Sequence, residues 1–587
     1  MARTKVEKPK VGLLSFKQKF SYCAGGIGRD MAYSLINAQI LTFLMLTRNL
    51  DDKMLAVVTV IMICCKIFDG LNDPIMGTII EYTHNKRGKF KPWLLLGVCT
   101  NVVVIMSIYA VPLKGWDYVI YFAFAYLLWG LTFTMNDISY WSMLPALSND
   151  KKERDGLTSW ANLLAGLGGG VAGAVVQPLT VGALAITPSI STSYLIMAGI
   201  ICAAFLGCQV MTFFGAPHKS TLLTAQEKIK EKLKKKNPLK ELWQVIKQND
   251  QLRVIAIVMF LYNIGASMLT VAMTYYTYLE YGLEGMLVTI FGLIFGISGA
   301  IPMLFYGAFS KKLTRKQMVL ASMIITIFGY ALFMCVGTAF KTKVEFSIFG
   351  INMNLDFILM ALCGLFISVG QSLLYNVMTI GISNCIEYND FNWGERKEGV
   401  IFSIRPLMAK IGNAFQTGIL TLLYILLGIN GFTNKISQID NAATRGSLTE
   451  EMIETLLNSG FTPADIQQVQ ESGVVSDEIK NALVEFERAM VSDGNPGLKL
   501  KIIVCVIAVA LIVGSCVLMY KKFTISEEKY SEMVKAIEKR DGKKSDDAEG
   551  ETTETTEEST EEIPSEEGEV EEQNDAVESV SPVPQEE

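Results

Sequence analysis

Residues 68–77 read FDGLNDPIMG and place two carboxylates and a carboxamide inside an apolar run. Between Met54 and Ile80 most other residues are Val, Ile, Leu, Met, Ala or Cys, the composition of a lipid-facing helix. Asp69 and Asp73 are four residues apart and Asn72 is three from Asp69, so a helix presents all three on one face. Pro74 has no N–H and leaves the Gly70 carbonyl without its usual helical partner. A carboxylate at mid-membrane costs roughly 2.5–3.5 kcal/mol on insertion scales, and two close together also repel. A cation held between them offsets both penalties. Oxygen-only ligands suit Na⁺ or a transferable proton better than a soft metal. The simplest alternative is an ion pair with Lys66, three residues before Asp69 and seven before Asp73.

The rest of the chain supports a membrane setting. Of 587 residues 50% are hydrophobic and 19% charged, with a mean hydropathy of +0.34. A soluble chain this long needs more polar surface than that. Apolar stretches of 18 or more residues, long enough to cross about 30 Å of hydrocarbon, recur along it. Twelve are legible, at 22–47, 55–81, 92–113, 118–145, 157–184, 192–214, 252–282, 286–310, 317–340, 354–386, 398–428 and 499–521. The fold class is therefore an all-α polytopic membrane protein with twelve transmembrane helices in two six-helix halves. The first apolar run is too long and too polar inside for a cleavable signal, and none is expected. The eleven cysteines lie almost all within spans, with no zinc-ligand spacing and no disulfide framework.

Lys and Arg mark the loops expected on the cytoplasmic side. Six precede residue 20, and nine lysines fall in the segment from His218 to Asp250. HNKRGKFK, NDKKERDG and SKKLTRKQ are also basic. This predicts a cytoplasmic N-terminus (1–21), an N-terminal half (22–214), a basic cytoplasmic linker (215–251) and a C-terminal half (252–521). An acidic helical insertion, residues 429–498, interrupts the second half and is expected outside the cell, with Ser447 and Glu450 forming a capping box. Residues 522–587 are expected to form a cytoplasmic, disordered acidic tail, because 541–587 hold nineteen acidic residues against two lysines. The halves also look related: aligning Gly156 with Gly399 brings Gly169 onto Gly412, as in a parallel internal repeat.

Other polar residues fall inside spans: Arg29–Asp30 in the first, Thr134, Asn136, Asp137 and Trp141 in the fourth, Arg405 and Lys410 in the eleventh. Intramembrane ionisable residues usually line a cavity or pathway. Acceptors, bidentate donors and an indole face together suit a polyhydroxylated ligand, which offers hydroxyl edges and a C–H face. Taken singly, Arg29 has a snorkelling role open to it, Trp141 an interfacial one and Lys410 that of a structural counter-ion.

DGLNDPIMGTIIEYTHNKRGKFKPWLLLG (69–97) and NCIEYNDFNWGERKEGVIFSI (384–404) resemble the two signatures of the glycoside–pentoside–hexuronide:cation symporters, the melibiose permease-like family of the major facilitator superfamily. The likeness runs over about residues 18–425 and the last span. It implies a coupling-cation site, for Na⁺ or H⁺, at Asp69, Asn72, Asp73 and Thr134. It implies sugar contacts at Arg29, Asp30, Asp137 and Trp141, with Lys410 close to the cation site. Two positions depart from the family pattern. Asn162 stands where an Arg reaches the sugar, and Arg405 stands where a Gln is found, so Arg405 is expected to supply the missing donor. Some relatives carry a C-terminal phosphotransferase-like domain with a phosphorylatable His. No such regulation is expected here, since the two histidines, His84 and His218, fall in loops.

The resemblance implies cation-coupled uptake of a glycoside or oligosaccharide through the plasma membrane by alternating access. The implied partners are a sugar, a coupling cation and the bilayer; the chain is expected to be monomeric, without a cofactor or nucleic acid. An amphiphilic lipid is the alternative cargo, and a receptor or scaffold built on the insertion and tail is a third reading. An enzyme is not expected, because no Ser–His–Asp set, metal cluster or phosphate-binding loop is present.

Overall fold

The computed structural model describes residues 14–147, 151–182, 184–217, 238–310, 312–336, 344–348, 351–395, 397–444, 448–472, 475–476, 479–480, 482 and 495–554. The first half runs through α1 (Phe16–Thr47), α2 (Asp52–Glu81), α3 (Lys91–Ala110), α4 (Gly115–Leu147), α5 (Lys151–Thr180) and α6 (Ile190–Gly215). A short α7 (Pro238–Gln248) precedes α8 (Asp250–Tyr281), α9 (Gly285–Phe309) and α10 (Arg315–Cys335). Strands β1 (Glu345–Ile348) and β2 (Ile351–Asn354) then lead into α11 (Leu355–Trp393), α12 (Glu398–Phe402) and α13 (Ile404–Leu426). The insertion contains α14 (Ile429–Thr444), α15 (Glu450–Asn458) and α16 (Pro463–Ser472), before α17 (Pro496–Lys522) and α18 (Glu527–Glu554).

Helix boundaries follow local chemistry. Asp51 caps α2 by accepting the Met54 N–H at 2.7 Å. Ser15 with Gln18 and Thr314 with Gln317 form reciprocal capping boxes on α1 and α10. Gly394 ends α11 at φ 69°, and Gly428, at φ 73°, occupies the joint where the chain turns by 81° between α13 and α14. Among the described residues ten helices are long and apolar enough to cross a bilayer, and the bent pair makes an eleventh. The 32-residue α1 is long enough but carries Arg29, Asp30 and Gln39 within it.

Packing shows the two halves to be repeats. In the first, α1 packs on α5 and α6, α3 on α4 and α6, and α2 on α4. In the second, α8 packs on α13 and α17, α10 on α11 and α17, and α9 on α11. These are the same pairings in the same order. The halves meet through α2 with α13 and α5 with α9, again a symmetric choice. The aligned glycines occupy equivalent seams: a Cβ on Gly169 would touch Asp30 on α1, and one on Gly412 would lie 2.7 Å from the Asn263 Cβ on α8.

At the end opposite the basic connections, hydrogen bonds join the halves. Gln177 on α5 donates to Gln39 on α1 at 2.5 Å and accepts from the Tyr278 hydroxyl at 2.6 Å. The Thr289 hydroxyl donates to the Ala174 carbonyl at 3.1 Å. The insertion joins the same seam. Asn430 donates to the Leu50 carbonyl and to Asp52, Ser437 donates to Asn49 at 2.7 Å, and Lys480 donates to the Pro188 carbonyl at 2.7 Å. The insertion also has its own apolar cluster, built on Ile439, Leu456, Ile466, Val469, Val475 and Ile479.

The all-α class holds with one short addition: Glu345↔Asn354 to Ile348↔Ile351 pair as an antiparallel hairpin, and EFSI and INMN alternate with the period of two that suits a strand. Two expectations change. Helix α18 covers Glu527–Glu554, part of the stretch expected to be disordered. Its Glu, Lys, Ala and Met content has strong helix propensity, and it carries the buried Met533 and Ile537. The N-cap of α15 is Thr449, whose hydroxyl accepts from the Met452 N–H. Ser447, His218, linker residues 218–237, the 483–494 segment and tail residues 555–587 lie outside the described residues.

Candidate functional site

The site grows from the α2–α13 seam. Gly70 leaves room for α13, because a Cβ there would lie 2.8 Å from the Leu407 Cδ1. One turn further along α13, Lys410 reaches across the halves to both α2 carboxylates. Its Nζ lies 2.5 Å from Asp73 Oδ2 and 3.0 Å from Asp69 Oδ2. From α4 the buried Thr134 hydroxyl lies 2.7 Å from Asp69 Oδ1 and 3.3 Å from Asp73 Oδ1. Gly130, one turn before Thr134, faces the Asp69 carboxylate at ordinary van der Waals distance, so no side chain intrudes there. Asp69, Asp73 and Thr134 thus converge from two helices with the ammonium of a third.

Asn72 is half-buried on the same stretch of α2 and makes no hydrogen bond among the described residues. Lys66 does not pair with either aspartate. Its ammonium hydrogen-bonds to the Asn37 side chain on α1 and lies 4.7 Å from the centroid of the Trp129 ring on α4. The countercharge on the aspartates comes from Lys410, because α13 supplies an ammonium from the opposing half while the Lys66 stem points to α1.

A second cluster lies on α1 and α4. Arg29 is buried, with Nη1 donating to Asp137 Oδ1 at 2.6 Å and Nε donating to Asp30 Oδ1 at 2.9 Å. Its guanidinium carbon sits 4.7 Å from the Trp141 ring centroid and 5.1 Å from that of Tyr140. One cation is therefore shared by two carboxylates and two ring faces, which fixes its plane. Thr134 and Asp137 are three residues apart on α4, so the two clusters occupy neighbouring positions on one helix face.

The remaining sequence candidates lie elsewhere. Arg405 is held by α11, its Nε and Nη2 both donating to the Tyr375 hydroxyl at 2.9 and 2.7 Å. It shares no hydrogen bond or ion pair with the Arg29 cluster. Asn162 is exposed and donates to its own helix, at the Thr158 carbonyl. Asn136 is structural: it is fully buried and donates to the Leu94 carbonyl at 2.9 Å, tying α4 to α3. Gly97 permits that approach, since a Cβ there would lie 2.6 Å from the Asn136 backbone nitrogen.

Sequence reasoning missed Tyr33, whose ring centroid lies 5.5 Å from the Lys66 ammonium, and also Asn37, Gly130 and Tyr375. Tyr33 is four residues from Arg29 and Asn37 four from Tyr33, so helical spacing carries a signal for both. Nothing in the sequence points from Arg405 to Tyr375. Among the described residues no group of three or more His, Cys, Asp or Glu side chains is gathered as metal ligands.

The sequence matches the family described as MFS/sugar transport protein over residues 21–449. It is 25% identical over 457 residues to a lactose permease of Lactobacillus helveticus, covering 74% of this chain and 65% of that protein. It is 25% identical over 422 residues to a raffinose carrier protein of Pediococcus pentosaceus, covering 70% of this chain and 62% of that one. The chain thus spans somewhat under two thirds of the length of these relatives. The fold is also that of a D-xylose-proton symporter, with a TM-score of 0.51 at 13% identity, covering 72% of this chain and 94% of that one. The chain belongs to the MFS/sugar transport protein family, within the glycoside–pentoside–hexuronide:cation symporter group of the major facilitator superfamily.

Proposed function

We propose that this protein is a plasma-membrane symporter that couples entry of Na⁺ or H⁺ to uptake of a glycoside or oligosaccharide. The observation that carries the reading is the bridge from Lys410 to Asp69 and Asp73, which sets one ammonium of one half between two carboxylates of the other and leaves one negative charge uncompensated. A cation entering among Asp69, Asp73 and Thr134 competes with that ammonium, so ion binding bears directly on how the halves sit against each other. Asn72 stands beside these groups as a further oxygen donor. The Arg29–Asp30–Asp137 cluster offers donors and acceptors to sugar hydroxyls, and Trp141 offers an apolar face. Because the clusters share one face of α4, occupancy of one alters the field and geometry of the other. The two affinities are then linked reciprocally.

Arg405 enters the sugar site in this reading only if it leaves Tyr375, a rearrangement that suits an alternating-access cycle. The basic connections and both termini face the cytoplasm under the positive-inside rule, which puts the insertion outside. The hydrogen-bonded seam around Gln177 then closes the outer end. The names of the relatives suggest a galactose-containing disaccharide or trisaccharide as cargo, and the unit is a monomer. The test is counterflow and gradient-driven uptake of lactose, raffinose and related sugars in proteoliposomes. Accumulation is expected under an inward Na⁺ or H⁺ gradient and is lost in Asp69→Asn/Asp73→Asn. Equal accumulation by that variant and the parent would sink the cation site.

A further inference from the structure

At the bundle end bearing the basic connections, α10 begins and α17 ends around a cavity of about 580 Å³. Lys312, Lys316 and Lys521 line it and are exposed, and none forms an ion pair with a described residue. Arg315 is committed to the protein: its guanidinium bonds to the Ile525 carbonyl and lies over the Phe523 ring. Glu527 is committed too, accepting from the Arg315 backbone N–H at 2.7 Å, which leaves Glu528 as the other acidic group in the lining. Three uncommitted ammonium groups thus face one uncommitted carboxylate. A second hollow of about 300 Å³ adjoins this one, sharing Val319, Tyr520 and Lys521, and runs along the bundle exterior past Leu320, Met323 and Val517. Leu320 and Tyr520 are exposed there, and Lys316 lies 5.6 Å from the Tyr520 ring centroid, at the junction of the two hollows.

We propose that these hollows form one binding site for an anionic phospholipid, the lysines holding the phosphodiester head group and the α10–α17 groove receiving an acyl chain. Charge and shape agree on one occupant. A basic recess alone suits any phosphate, and an apolar groove alone suits any lipid. A groove that starts under a tyrosine at the interface and leads into three free lysines suits a lipid with a negative head. The site lies on α10 and α17, away from the α2, α4 and α13 groups of the transport site, and does not depend on which sugar or ion is carried.

The test is lipid retention by the full chain, measured by native mass spectrometry after reconstitution with phosphatidylglycerol or phosphatidylcholine. The parent is expected to keep phosphatidylglycerol preferentially and to release phosphatidylcholine. Each lysine changed to Gln at 312, 316 and 521 is expected to weaken retention about fivefold, the factor corresponding to about 1 kcal/mol per surface cation. Lys86→Gln/Lys89→Gln removes charge from a different basic connection and is expected to leave retention intact. Val517→Trp fills the groove without changing charge and is expected to weaken retention as well. Competition by excess inorganic phosphate alone would reassign the recess to a free anion. Equal retention of the two lipids, or retention unchanged in the triple Lys→Gln variant, would overturn the proposal.

Discussion

The ammonium of Lys410 lies 2.5 Å from Asp73 although 337 residues of chain separate them. The contact joins the two repeats at the level of their polar residues and leaves the aspartates partnered without any ion from outside. Removing the lysine should therefore expose the cost of the carboxylates themselves.

Lys410→Met is expected to lower the unfolding temperature in Na⁺-free buffer, since breaking one partner of a buried charge pair costs about 3–5 kcal/mol. Added Na⁺ should restore more stability to this variant than to the parent, because the cation takes over the vacated role. Combining it with Asp73→Asn should recover part of the loss. Scanning fluorimetry in NaCl and in choline chloride reads all three outcomes, and an unchanged unfolding temperature would count against the bridge.

Thr134→Val keeps the shape of the side chain and deletes the hydroxyl that serves Asp69 and Asp73. A hydrogen bond to a charged group contributes about 1.5–3 kcal/mol, so apparent cation affinity should fall at least tenfold. Sugar affinity at saturating cation should stay within about twofold of the parent, an energy difference well under that of one lost hydrogen bond. Titration calorimetry of sugar binding at stepped Na⁺ concentrations separates the two effects.

Arg29→Lys retains the charge but not the fork that reaches Asp30 and Asp137 from different nitrogens. Sugar binding is expected to weaken by more than about tenfold while the unfolding temperature changes little. Arg29→Gln should do worse on both counts, because it leaves two carboxylates without their shared cation. Equal binding by parent and Arg29→Lys would remove the guanidinium plane from the sugar site.

Gly97→Ala tests how α4 is set in place. The added Cβ meets the Asn136 backbone nitrogen at 2.6 Å, and backbone cannot swing aside. Overpacking of this kind costs about 1–3 kcal/mol, and it should shift the turn that carries Thr134 and Asp137. Gly166→Ala, where a Cβ meets nothing within 4 Å, should be neutral or stabilising. Equal thermal stability of the two variants would contradict the close approach of α3 and α4.

The membrane class and the Asp69–Asp73 face could be read from the sequence, because each depends on hydropathy or on spacing within one helix. Arg29 and Asp30 stood out for the same reason, being charges inside an apolar run. Lys66 shows the limit of that reasoning. Local spacing offered it as the simplest alternative partner, but Lys410, which the family resemblance put close to the cation site, fills the role through tertiary packing that α2 alone does not encode. The Arg405–Tyr375 bond joins residues on two separate helices and is equally invisible to periodicity. Helix α18 was missed for a different reason, since the acidic composition of the tail argues for disorder while backbone propensity still favours a helix over Glu527–Glu554.

Among the described residues, the insertion between α13 and α17 shares no hydrogen bond or ion pair with either cluster, yet Asn430, Ser437 and Lys480 bind the opposing half. Opening that end of the protein means breaking those bonds and the Gln177 pair together. At about 1 kcal/mol net each, three such bonds weight the closed arrangement by a factor on the order of a hundred. In the proposed transport cycle, the resting arrangement is thus set by residues outside the two polar clusters. A change in the insertion would alter how often the empty protein turns over while leaving what it recognises the same.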